Sequence, residues 1–194
     1  VKVFTTINPD TILNIYLITD NEQKYGVIID PGSFSLNVYK LIQQTGAELK
    51  KIIITHNDIE NTSGISLIKK IYDVEIFANC SDIFDFPITE ISHGEIIKEG
   101  DLTFKILETP VNHYDSISIL AEDTLFVGDI LQSGILNSFR KNQCPGDYEF
   151  EIIQNNILNL PDHIIICPSK GPASTVEIER KFNPYFKNIS NVIQ

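Results

Sequence analysis

The chain of 194 residues is 42% hydrophobic and 21% charged, a composition that supports one packed domain of ordinary size. Its formal net charge of -11 repels phosphate backbones and argues against nucleic acid, and no apolar run approaches the ~20 residues that a membrane-crossing helix needs. Cys80, Cys144 and Cys167 are odd in number and widely spaced, with no CxxC pair; this argues against a disulfide scaffold or thiolate zinc site and fits inert thiols in a cytoplasmic protein.

In chain order, residues 1–6 and 12–19 are rich in β-branched side chains and read as strands joined at Asn8-Pro9-Asp10. Residues 25–29 form a third strand, stopped by Asp30-Pro31-Gly32. Residues 36–45 place Leu36, Tyr39, Leu41 and Ile42 at helical spacing, and Gly46 closes that helix. The apolar run Ile52-Ile53-Ile54 marks 49–55 as a buried strand, followed by a helix over 62–71 and a strand over 74–78. That alternation predicts parallel crossovers in the first half. The second half supplies strands over 102–107, 116–120 and 124–127, a helix over 148–160, a buried strand over 164–167 and a last helix over 175–182. No linker or low-complexity stretch divides the chain, so residues 1–194 are expected to form a single domain.

Five short segments fall where strands end: Asp30-Pro31-Gly32; the run from Thr55 to Gly64; Thr109-Pro110-Val111-Asn112-His113; Phe126-Val127-Gly128-Asp129; and Pro168-Ser169-Lys170-Gly171-Pro172. In order and spacing they resemble the motif series of the metallo-β-lactamase superfamily. Gly128-Asp129-Ile130-Leu131, Arg140 and the stretch Cys144-Pro145-Gly146-Asp147-Tyr148-Glu149 are similar to its glyoxalase II-like branch. The resemblance implies an α/β fold, a four-layer αβ/βα sandwich with the site at one edge of two facing sheets. It also implies a dinuclear centre, zinc or sometimes iron or manganese, that hydrolyses thioesters, lactams or phosphoesters.

Against the family pattern T-H-x-H-x-D-H, Thr55 and His56 match, while Asp58, Glu60 and Asn61 stand where His, Asp and His would be. In the third motif, T-P-G-H-T-x-G-S, Thr109, Pro110 and Ser116 hold the register, which puts Asn112 at the ligand position and His113 one residue later. Val111 and Asp115 replace the glycines of that loop. Asp129 matches the bridging carboxylate, and Lys170 replaces the last histidine. Only His56 and Asp129 are identical among the ligand positions. Asp58 and Glu60 keep oxygen donors suited to hard cations, whereas a protonated Lys170 cannot ligate.

Three carboxylates in one cleft repel one another unless a cation offsets them. The substitutions therefore suggest that the Lys170 ammonium takes the place of the second metal and pairs with Asp129 or Glu60. A single zinc, manganese or iron could remain on His56, Asp58 and Asp129, with His113 completing the set if its loop rotates. Arg140, Tyr148 and Asn112 would border a substrate pocket. Each candidate also has an ordinary reading: His56 as a core histidine, Asp58 and Glu60 as loop charges, Asp129 as a turn residue, Arg140 and Tyr148 as surface residues.

His93 and His163 lie outside the motifs, and no G-x-S-x-G elbow, partnered Cys144 or glycine-rich phosphate loop offers other machinery. Two functions follow. The favoured one is a metal-free cleft, without efficient dinuclear chemistry, that binds a small molecule or partner. The other is a mononuclear hydrolase of thioesters or related esters, in which Glu60 activates water and Lys170 stabilises the oxyanion.

Overall fold

Alternating side chains along the strands set the layers. The structure, a computed structural model, describes residues 1–136 and 147–186. Arg140 and Cys144 lie outside the described residues. Strands β1 (Lys2–Ile7), β2 (Asn14–Thr19) and β3 (Tyr25–Ile29) form an antiparallel meander, β1 to β2 and β2 to β3. After helix α1 (Leu36–Thr45) comes β4 (Glu48–Ile53), parallel to β3. Two short helices, α2 (Ile59–Thr62) and α3 (Ile65–Ile71), lead to β5 (Glu75–Ala78) and the short β6 (Thr89–Glu90), both added in parallel. The parallel crossovers expected of the first half are thus present.

The second sheet begins with β7 (Ile96–Glu99), β8 (Leu102–Glu108), β9 (Ile117–Ala121) and β10 (Thr124–Gly128), an antiparallel meander. A small hairpin, β11 (Leu131–Gln132) and β12 (Ile135–Leu136), follows. Helix α4 (Asp147–Ile153) widens into a π-helical segment, Gln154–Leu158, before β13 (Ile165–Pro168), β14 (Ser174–Thr175) and α5 (Val176–Phe182). β13 runs parallel to β10, and the sheet order is β14-β13-β10-β9-β8-β7.

Ile15, Leu17, Ile28, Ile52 and Ile54 point outward onto α1 and α3 in one apolar cluster. Their neighbours Tyr16, Ile18, Val27, Ile29 and Ile53 point inward and meet Phe104, Ile106, Ile119 and Phe126 of the second sheet. Leu125, Val127 and Ile166 face the opposite way, onto Ile153, Ile157 and Val176. Three apolar seams separate four layers, helix–sheet–sheet–helix, as the period of two along each strand requires.

Local chemistry moved several boundaries. The helix expected over 62–71 breaks at Ser63-Gly64. A Cβ at Gly64 would lie 2.4 Å from both Gly32 O and Phe34 N, so only glycine lets the chain pass this close to the loop after β3. The strand expected from residue 12 starts at Asn14, because Asn8 N donates to Leu13 O at 2.8 Å and closes a longer turn. β7, whose Ile96-Ile97-Lys98-Glu99 does not alternate, and the two-residue strands carry no readable periodicity.

Candidate metal centre

The parallel registers β3–β4 and β10–β13, with β8 two antiparallel steps from β10, place the C-terminal ends of β3, β4, β8, β10 and β13 along one edge of the sandwich. The five motif segments leave from those ends, where open α/β sheets bind ligands. Backbone bonds join the two sheets here: Ile117 N donates to Thr55 O at 2.8 Å, and Asn14 N to Ser169 O at 2.7 Å.

A narrow cleft of about 50 Å³ opens at this edge, lined by Leu13, His56, Asp58, Glu60, Asn61, His113, Asp129, Ser169 and Lys170. On its floor the rings of His56 and His113 stack with centroids 4.5 Å apart. His113 Nε2 lies 3.7 Å from Asp129 Oδ2. One ligand atom from each of His56, His113 and Asp129 lies within 4.8 Å of the others, the one such group of three or more among the described residues. Three such donors converging on one point would hold a divalent metal and leave a further position open. Asp129 Oδ1 is buried and has no hydrogen-bond partner among the described residues. An unmet buried carboxylate oxygen beside two imidazoles fits a divalent cation.

The other candidates are placed differently. Asp58 caps α2, its Oδ1 accepting from Glu60 N at 2.8 Å, so its carboxylate lines the cleft but lies outside the three-residue group. Glu60 accepts from Lys170 Nζ at 3.1 Å, in an ion pair whose side chains are 48% and 43% exposed. Asn61 is buried, its amide nitrogen 3.2 Å from both ring nitrogens of His56. Asn112 Nδ2 donates to the backbone oxygen of Asp129 at 3.4 Å and so braces that loop. Tyr148, at the start of α4, is 65% exposed and does not line the cleft. His93 and His163 are on the surface, bonded to Glu108 and Asp123. Burial pushes the Cys80 and Cys167 thiols up to about 11, which keeps both protonated at neutral pH.

Sequence reasoning gives no role to Asp30 and Thr55 beyond holding motif register. Thr55 N donates to Asp30 Oδ1 at 2.8 Å, and Thr55 Oγ1 donates to Asp30 Oδ2 at 2.6 Å and lies 3.0 Å from His56 Nδ1. Burial raises the Asp30 carboxyl above its ordinary range, offset in part by the nearby His56 and the two Thr55 bonds. The available signal was position: an Asp directly after a fully apolar strand must find donors for its oxygens.

The model of the metallo-beta-lactamase superfamily matches residues 9–167. The chain is 29% identical to the hydroxyacylglutathione hydrolase GloC of Haemophilus influenzae over 202 aligned residues, covering 91% of this chain and 94% of that protein. Its fold superposes on ETHE1 from Myxococcus xanthus with a TM-score of 0.81 at 20% identity, covering 100% of this chain and 92% of that one. A di-iron-bound form of TTHA1623 gives 0.79 at 20% identity, covering 94% and 100%.

Proposed function

This chain belongs to the metallo-β-lactamase superfamily, and on that premise we propose that it holds a single divalent metal on His56, His113 and Asp129 and hydrolyses a small thioester or related ester. The observation that carries this reading is Asp129 Oδ1, buried without a hydrogen-bond partner among the described residues and beside two histidines. When bound there, a divalent metal polarises a carbonyl and brings the pKa of a coordinated water to ~7.

One metal, not two, is supported by what the remaining motif residues do. Asp58 caps a helix with one oxygen and lies outside the three-residue group, Asn61 lies against the His56 ring, and Lys170 neutralises Glu60. The degenerate half of the motif has become a charged rim. From that rim the Lys170 ammonium would stabilise an oxyanion, and Glu60 would orient an incoming water or take its proton. A cleft of about 50 Å³ admits little more than the reacting group, so the rest of a small-molecule substrate would lie across the rim. The GloC relative is named a hydroxyacylglutathione hydrolase, and because an acyl group on a thiol is a thioester, that name motivates the substrate class.

Elemental analysis of gently purified protein tests the reading. We expect zinc, manganese or iron at one per chain, and turnover in a thioester panel that Asp129→Ala abolishes. Sub-stoichiometric metal overturns it and leaves a non-catalytic binding cleft. Two histidines and one carboxylate are also the donor set of non-haem iron oxygenases, so iron with oxygen consumption and no thioester turnover would replace hydrolysis by that chemistry.

A further inference from the structure

We infer that Thr55 is a positioning residue: its hydroxyl donates to Asp30, accepts the Nδ1–H of His56, and so fixes the tautomer that leaves the Nε2 lone pair for a metal. The metal half of this statement rests on the function proposed above; the tautomer does not.

A threonine hydroxyl carries one proton. Asp30 Oδ1 is already bound to Thr55 N–H at 2.8 Å, which locks the carboxylate in place, and Oδ2 lies 2.6 Å from Thr55 Oγ1. With its proton spent on the carboxylate, Oγ1 has only lone pairs for the His56 Nδ1 at 3.0 Å, so Nδ1 must carry the ring proton. Both Thr55 and Asp30 are buried, so water does not compete for these bonds. The Asn61 amide, within 3.2 Å of both ring nitrogens, can then donate only to Nε2, and it has the His56 carbonyl at 3.4 Å as a second acceptor if Nε2 is taken.

Two backbone features hold the arrangement. Asp30 sits at φ 47, a left-handed conformation that Asp tolerates better than most residues, with its N–H bonded to Ile53 O at 3.2 Å. A Cβ on Gly128 would lie 2.7 Å from Thr55 Oγ1, so the missing side chain there makes room for the hydroxyl. Three of the five motif segments, from β3, β4 and β10, thus meet at one oxygen atom.

The test is nitrogen NMR of His56 in metal-free protein at about pH 8, paired with metal affinity from chelator competition. Wild type is expected to show a protonated Nδ1 and an unprotonated Nε2. Thr55→Ser should keep that pattern and a dissociation constant within about 3-fold of wild type. Thr55→Val should lose the preference and weaken metal binding 10–100-fold, the usual cost of losing a ligand's outer partner.

Asp30→Asn is the sharper variant and serves also if Thr55→Val does not fold. Its amide oxygen must face Thr55 N–H, so its NH₂ faces Oγ1. The hydroxyl proton then turns to Nδ1, and the ring proton should move to Nε2. A wild-type proton on Nε2, or an unchanged tautomer in a folded Asp30→Asn or Thr55→Val protein, overturns the inference. The expected tautomers with no metal bound to wild type would leave the inference standing and overturn the proposed function instead.

Discussion

The floor and the rim of the cleft handle charge in opposite ways. On the floor, Asp129 is buried against two stacked histidines and keeps one oxygen without a hydrogen bond among the described residues. On the rim, Glu60 and Lys170 are each about half exposed and satisfy one another at 3.1 Å. An unmet oxygen in water costs nothing, because solvent fills it; the same oxygen in the interior costs about 1–3 kcal/mol or more. The floor therefore leaves a buried donor oxygen that a cation could meet, while the rim has already met its own.

The strongest way to break this contrast is at Asp129. Asp129→Ala should take metal binding down by at least ~100-fold, more than the loss of an outer partner, and any thioester turnover with it. Asp129→Asn sharpens the point by its sign. In metal-free protein it removes a buried charge near the Asp30 carboxyl and should raise the melting temperature; in metal-loaded protein it should lower it. Calorimetry with and without chelator reads both, and an equal shift in the two states would mean that the floor makes no special claim on a cation.

The rim predicts the converse. Lys170→Ala should change stability by under ~1 kcal/mol, because the pair is solvent-screened, while lowering turnover on the order of 10-fold if the ammonium meets an oxyanion. A double-mutant cycle with Glu60→Gln, read on melting temperature and not on turnover, isolates the ion pair's share of stability.

How much of this contrast the sequence carried depends on range. The four layers were legible only through the resemblance of the five motif segments to a known superfamily; the alternation of Tyr16-Leu17-Ile18 between two cores is hidden in sequence, because all three residues are apolar. Gathering the five segments at one edge was likewise implied by the resemblance, since a strand end alone does not say which edge it reaches. Which motif residues face each other was not. His113 sits one position away from the family ligand, and only the path of the loop after β8 brings its ring onto His56. Asp58 has the chemistry of a ligand but turns one oxygen to an N-cap, a competition that sequence alone does not decide. The Thr55–Asp30 pairing spans 25 residues and depends on a parallel strand register.

Asp30 extends the comparison to pH. Burial raises its folded carboxyl above the ordinary 3.8. A raised acid binds its proton more tightly when folded, so its contribution to stability is complete below about pH 4 and is lost as pH climbs through the folded value. Metal-free wild type should thus lose stability across that rise, and Asp30→Asn should flatten the loss. Melting temperatures from pH 4 upward read this directly, and parallel profiles would mean that Asp30 folds with its ordinary acidity.

The smallest expected effect lies beside the cleft, at Ile12. This β-branched residue adopts φ 59 and is 71% exposed, immediately before cleft-lining Leu13. Left-handed backbone at such a side chain costs about 1–3 kcal/mol, and almost no burial is returned. The turn is held by Ile12 N donating to Asn8 O at 2.9 Å, with Asn8 bonded in turn to Ser33. Ile12→Asn keeps the turn, relieves the strain without glycine's entropic cost, and should raise stability by about 1 kcal/mol. If the strain serves only the turn, turnover will not change. A fall in turnover alongside the gain in stability would instead place an apolar substrate contact on the rim, and the division between an unmet floor oxygen and a self-satisfied rim would have to be redrawn.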